Sequence, residues 1–268
     1  MSNPLHIISL GAGVQSSTMA LMAAHGEITP MPHCAIFADT QNEPRAVYDW
    51  LGWLKEKLPF PIFTVSRGNL AQDTLRIRDS RDGKKRWITT GVPFHSINPD
   101  GTRGHCPRQC TRDYKIRPIM RFVRALLAEN KCDYAVQWIG ISLDEIHRMK
   151  MSRVKYAIHR WPLVEMRRRR SECLHWMESH GFPRPPRSAC VMCPYHSNKE
   201  WRALTEYERA YAIGFEDRYR EIRREIGEND QRFVHSSCVP LSQVDLTESK
   251  DLKHPDLFGN ECEGMCGV

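Results

Sequence analysis

Apolar residues gather in short blocks along the first two thirds of the chain, each followed by a segment in which they recur at helical spacing. "LHIISL" (5–10) is the first block, and 15–24 then reads as a helix with Met19, Ala20, Met22 and Ala23 on its apolar side. "CAIFAD" (34–39) predicts a second strand, followed by a helix in "EPRAVYDWLGWLKEKL" (43–58) with Val47, Trp50, Leu51 and Leu54 as its stripe. "PIFTVS" (61–66) predicts a third strand and "YAVQWIG" (134–140) a fourth, preceded by the helical "RPIMRFVRALLAEN" (117–130). A fifth strand is expected near "HRWPLVEM" (159–166).

Apolar strands alternating with helices predict an α/β fold, a doubly wound, mostly parallel five-stranded sheet covered on both faces. Ligands of such sheets sit at the carboxyl ends of the strands. Three marked loops fall there, at 11–17, 39–43 and 140–148. The α/β domain is expected over 1–196, with a long polar insertion at 67–110. A helical extension follows over 197–232, where Trp201, Leu204, Tyr207, Tyr211 and Phe215 read as a core stripe, and a tail over 233–268 carries Cys262 and Cys266.

The 268 residues are 41% hydrophobic and 26% charged, the balance of a folded globular chain. No apolar run approaches the ~20 residues of a membrane span, and the first residues lack the layout of a secretory signal, so a cytoplasmic protein without membrane partners is expected. In that compartment the ten cysteines read as metal ligands, reactive thiols and core residues rather than disulfides. The net charge of +7 favours anionic partners, nucleotides or nucleic acid. Basic residues concentrate at 76–86, 167–170 and 218–224, and a solvated surface is the favoured reading of any one of these runs.

"GAGVQSS" between a strand and a helix meets the needs of a phosphate: close backbone approach at glycines and the partial positive charge of a helix amino terminus. It lacks the lysine of a Walker A loop, and Ser16 takes the place of the third glycine of a dinucleotide loop. Ser9, Gly11, Gly13, Gln15, Ser16 and Ser17 are the candidate contacts. Cys106 with Cys110, and Cys190 with Cys193, form two closely spaced pairs that invite assembly into one four-thiolate site. Thiolates hold zinc or a [4Fe-4S] cluster, and spacing alone does not choose between them.

Read with the serine pair and the next strand, the loop resembles the PP-loop of the adenine nucleotide α-hydrolase superfamily, which contains ATP pyrophosphatases and sulfonucleotide reductases. Gln15 stands where the pyrophosphatase form, S-G-G-x-D-S, carries its acid. "QCTRDYKIRPI" (109–119) and "SACVMCPYH" (188–196) resemble the cysteine segments of the adenylyl sulfate reductases, although the first cysteine pair, adjacent there, is spaced here. "GISLDEIHR" (140–148) and "FADTQNEP" (37–44) are similar to nucleotide-lining segments, and "NECEGMCGV" (260–268) to the reductases' cysteine-bearing tail.

Taken together the chain resembles the phosphoadenylyl sulfate (PAPS) reductase family. The resemblance implies a [4Fe-4S] cluster on Cys106, Cys110, Cys190 and Cys193, and an adenine nucleotide beside Asp39, Thr40, Gly140, Asp144 and Glu145. Arg148 and Lys115 would meet the sulfate end. It also implies thiol-dependent reduction of a sulfonucleotide to sulfite, with Cys262 as nucleophile, Cys266 as resolving thiol and a thioredoxin-like donor. Two other readings stay open. One is an ATP- and Mg-dependent sulfurtransferase that adenylates and thiolates tRNA or DNA; the other is a zinc-stabilised nucleic-acid-binding module without turnover. Cys34, Cys132, Cys173 and Cys238 read as core or incidental.

Overall fold

The computed structural model describes residues 4–89, 91–228 and 231–247. Five strands, β1 (Leu5–Leu10), β2 (Cys34–Asp39), β3 (Ile62–Ser66), β8 (Ala135–Ile139) and β9 (Ala157–Arg160), form one sheet in the order β3-β2-β1-β8-β9. Every pair in it is parallel, so the expected doubly wound α/β fold is present and the sheet is wholly rather than mostly parallel. Helices on both faces explain why β1 and β2 read as continuous apolar runs instead of alternating ones.

Helix α1 (Val14–Ala24) is buried all round from Val14 to Ala23, not on one face, because it lies between the sheet and α6 (Arg170–Ser179). Helix α2 (Arg45–Lys57) starts two residues later than its pattern implied, after Pro44, and buries the expected stripe of Val47, Trp50, Leu51 and Leu54. Burial of each such side chain contributes about 1.5–3 kcal/mol. On the opposite face α4 (Arg117–Asn130) packs Ile119, Val123, Leu126 and Leu127 against Ile7, Ile36 and Ala135.

The fifth strand lies over Ala157–Arg160, earlier than the 159–166 expected, and Pro162–Glu165 is a short helix, α5. Pro162 lacks the amide a strand needs and suits a first helical turn. The insertion is not a plain loop: it holds α3 (Leu70–Leu75), a hairpin of β4 (Arg78–Asp79) and β5 (Arg86–Trp87), and strands β6 (His95–Ile97) and β7 (Arg103–His105). After it, a π-helix over Thr111–Ile116 leads into α4.

The helical stretch after 197 is two helices, α7 (Asn198–Ala203) and α8 (Glu206–Glu225), each opened by a capping box, at Ser197 with Glu200 and at Thr205 with Glu208. Trp201, Leu204 and Phe215 are buried as expected, but Tyr207 is 81% and Tyr211 39% exposed. Strand β10 (Gln231–Phe233) then pairs with β6, so residues beyond 230 join the insertion in a three-stranded antiparallel sheet. Phe94, Cys106, Tyr114, Met192, Trp201, Phe215, Tyr219 and Val234 share one core there, apart from the two that flank the parallel sheet. No helix among the described residues is long and apolar enough to cross a membrane.

Candidate functional site

Strand β1 pairs with β2 on one side and β8 on the other, so the strand order reverses beside it and opens a crevice at its carboxyl end. The loop 11–13 leads from that end of β1 into α1. A Cβ added to Gly140, just past β8, would lie 2.9 Å from the backbone N and Cα of Ser16, so only glycine lets the end of β8 approach the first turn of α1 this closely. Within the loop the left-handed residue is Ala12, at φ 60°, while Gly13 is the extended N-cap of α1. The positive φ of this loop thus falls on the alanine and not on Gly13. The Gly11 amide donates to Ser16 Oγ at 3.1 Å, and Gly13 caps α1 without a side chain, which leaves first-turn amides for an anion.

Polar side chains beneath the loop are tied down. Ser9 Oγ accepts from Gln137 Nε2 at 2.6 Å, and Ser17 Oγ accepts from Trp50 Nε1 at 2.9 Å, so both face packed neighbours. Gln15 is fully buried and donates through Nε2 to Ser142 Oγ at 3.4 Å and to Glu145 Oε2 at 3.2 Å. Glu145 also pairs with Arg148 on the same 3-10 segment, Leu143–Arg148. Asp144 points elsewhere and accepts the Arg170 amide at 3.1 Å. Burial opposes its ionisation, but hydrogen bonds from Ser142 and that amide, with the Arg170 charge, outweigh it and hold the carboxyl below its usual range.

At the end of β2, Asp39 accepts from the Gln41 amide at 2.7 Å and from Tyr48 Oη at 2.9 Å. Thr40 turns inward, with Oγ1 3.1 Å from Cys190 Sγ and 3.4 Å from Glu43 Oε1. Lys115, carried by the π-helix, places Nζ 3.4 Å from Glu43 Oε1, and both side chains are buried. Among the described residues Glu43 Oε2 has no hydrogen-bond partner, although it is buried.

Cys110, Cys190 and Cys193 line one cavity with Thr40, Lys115 and Arg108. Cys106 does not line it; it lies in the third core, where its amide donates to the Phe94 carbonyl at 2.8 Å. Burial, and then the Glu43 charge, push the Cys190 thiol well above its ordinary range against the pull of Lys115. His196 Nε2 lies 3.1 Å from the Cys190 carbonyl, and burial followed by the Arg187 charge lowers its pKa to about 3, so the ring is neutral and donates.

Among the described residues no three Cys, His, Asp or Glu lie close enough together to hold a single metal ion. The donor set, three thiols beside a buried lysine, has the chemistry of a thiolate-bound group. The cavity these thiols line measures about 20 Å³, the room of one water. Cys262 and Cys266 lie outside the described residues.

Sequence reasoning passed over Glu43, Gln137 and His196. Glu43 read as the start of a helix, yet its place directly after the β2 loop was the available signal, since that is where ligands of such sheets lie. Gln137 is a lone polar residue inside an apolar strand, and His196 follows the second cysteine pair by three residues.

No protein-family model matches the chain, and no curated protein matches it. Among solved structures it is similar to a phosphoadenylyl-sulfate (PAPS) reductase from Candida auris in a phosphate complex, at 12% identity and TM-score 0.42, over 68% of this chain and 76% of that one. It is also similar to the U34-tRNA thiolase NcsA from Methanococcus maripaludis with its [4Fe-4S] cluster, at 15% identity and TM-score 0.41, over 82% of this chain and 72% of that one.

Proposed function

We propose that this protein is a PAPS reductase-like enzyme that binds an adenine nucleotide at the 11–17 loop and reduces a sulfonucleotide to sulfite with thiols. The observation that carries the reading is the link from Gln15 to Glu145 to Arg148, which ties a guanidinium to the phosphate loop at the strand-order reversal. Guanidinium binds a sulfate or phosphate through two parallel hydrogen bonds. First-turn amides of α1 meet the phosphate, Asp39 and Thr40 line the adenosine side, and Arg148 with Lys115 serves the sulfate end.

In the reaction, the Cys262 thiolate attacks the sulfur of the sulfonucleotide, forming an S–S bond as the S–O bond to the nucleotide breaks, and the adenylate leaves with the electron pair. Cys266 then attacks Cys262 Sγ, sulfite leaves, and the two thiols are oxidised to a disulfide that a thioredoxin-like dithiol reduces. Cys110, Cys190 and Cys193, with Cys106 as the fourth thiol of the expected set, would hold a [4Fe-4S] cluster, which would supply a redox-capable group beside the nucleotide. Purified protein given adenylyl sulfate or its phosphorylated form and a dithiol is expected to release sulfite; no sulfite from either overturns the reading.

A second reading, ATP-dependent thiolation of tRNA or DNA, is favoured by a cleft lined with arginines at the end of α8. Release of pyrophosphate that requires nucleic acid would select it.

A further inference from the structure

The basic run at 218–224 is divided by its helix. Arg218 pairs outward with Glu221 and Glu225, at 3.0 and 3.1 Å. Arg220, Arg223 and Arg224, at helical spacing, instead line a cleft of about 630 Å³, joined there by Arg232 from β10. The far wall is formed by Phe233 and the segment 238–243.

Among the described residues the acid in this lining is Glu228, which pairs with Arg223. Arg232 Nη1 donates to Tyr219 Oη at 3.2 Å, the Arg220 guanidinium stacks 5.6 Å over Phe233, and Arg224 Nε donates to the Arg220 carbonyl at 3.4 Å. The ring and carbonyl contacts orient the Arg220 and Arg224 guanidinium groups. Among the described residues neither Arg220 nor Arg224 forms an ion pair. Basic residues in a last helical turn complement the helix dipole, which accounts for Arg223 and Arg224 but not for Arg232, contributed by another element.

The walls are fixed in advance. The buried Glu216 carboxylate accepts the Val234 amide at 2.8 Å and the Leu241 amide at 2.6 Å, clamping both chain segments of the far wall to α8. Arg224, Gln231, Val239 and Gln243 on the rim are exposed, so the cleft is open where a chain would enter and leave. Successive turns of α8 present charge about 6 Å apart, which suits consecutive phosphates of one strand better than a single compact anion.

We propose that this cleft binds the phosphodiester backbone of a nucleic-acid strand through Arg220 and Arg224 on successive turns of α8. The site stands whichever nucleotide reaction the 11–17 loop performs. Its test reads binding without turnover, so its failure leaves the sulfite assay standing.

Full-length protein is titrated into fluorescein-labelled single-stranded RNA and DNA of about 20 nucleotides at about 50 and 200 mM salt, with inorganic tripolyphosphate as competitor. R220E/R224E is expected to bind about 10-fold more weakly and to flatten the salt dependence by about two phosphate contacts. K84E/K85E, which removes the same charge from the exposed β4-β5 hairpin, is expected to stay within about 2-fold of the parent. R220Q/R224Q replaces the glutamate variant if thermal unfolding shows that it does not fold. Absence of strand binding, equal loss in K84E/K85E, or tripolyphosphate binding that depends on the arginines while neither strand binds would each overturn the proposal.

Discussion

Gln15 Nε2 donates to Glu145 Oε2 at 3.2 Å, and through that carboxylate it reaches Arg148. The amide stands where the resembled pyrophosphatase loop carries an acid. A second carboxylate at that distance from Glu145 would compete with it for Arg148 or require a cation between them. A neutral donor leaves Glu145 ionised, paired, and fixed to the loop.

Gln15→Glu tests that arrangement. The variant sets two carboxylates face to face, and a loss of about 1–3 kcal/mol is expected near pH 8. Repulsion raises the pair's affinity for a proton, so the deficit should shrink as pH is lowered from about 8 toward 5. Urea unfolding at the two pH values checks this; an equal deficit at both would show that charge is not the cause.

Gly140→Ala inserts a methyl group 2.9 Å from the Ser16 backbone. Overpacking of this kind costs about 1–3 kcal/mol. Because the strain falls on the first turn of α1, binding of adenylyl sulfate and ATP, measured by calorimetry, should weaken together with the urea midpoint. Unchanged nucleotide affinity in a destabilised variant would separate the loop from the nucleotide.

Lys115→Met leaves Glu43 buried opposite an apolar side chain, and breaking a buried pair from one side costs about 3–5 kcal/mol. Adding Glu43→Gln removes the stranded charge. The double variant is therefore expected to regain most of the loss, read as the coupling in a double-mutant cycle by urea denaturation.

Glu216 supplies a pH dependence. Burial raises its pKa against the pull of the Leu241 and Val234 amides, so above 4.5 the folded chain holds this proton more tightly than the unfolded one. Its contribution to stability is present below 4.5 and is lost as pH rises through the raised folded value. The stability of the parent relative to Glu216→Gln should accordingly improve as pH is lowered from about 8 toward 4.5 in urea titrations.

Strands β1, β2 and β8 were legible because continuous apolar runs arise wherever both faces of a sheet are covered, a property of each strand's own residues. The insertion was not legible. Its short strands and the helix over Leu70–Leu75 gain their stability from α8 and the C-x-x-C loop, which lie a hundred or so residues further along the chain. Tyr207 and Tyr211 failed for the same reason: helical spacing says which residues share a face, not how far the neighbouring core extends beneath it.

By itself the sequence determined the α/β strand and helix order, the loop that ends β1 and the segments bearing chemistry, since these follow from local periodicity, helix starts and glycine placement. The tertiary structure alone decided which of those segments meet. It set Gly140 against Ser16, tied Gln15 to Glu145, placed Cys110 with Cys190 and Cys193 while leaving Cys106 in the core, and turned three arginines of one run away from the fourth. The physical reason is chain closure: a polar side chain's partner is chosen by how distant elements pack, and residue type records only that it needs one.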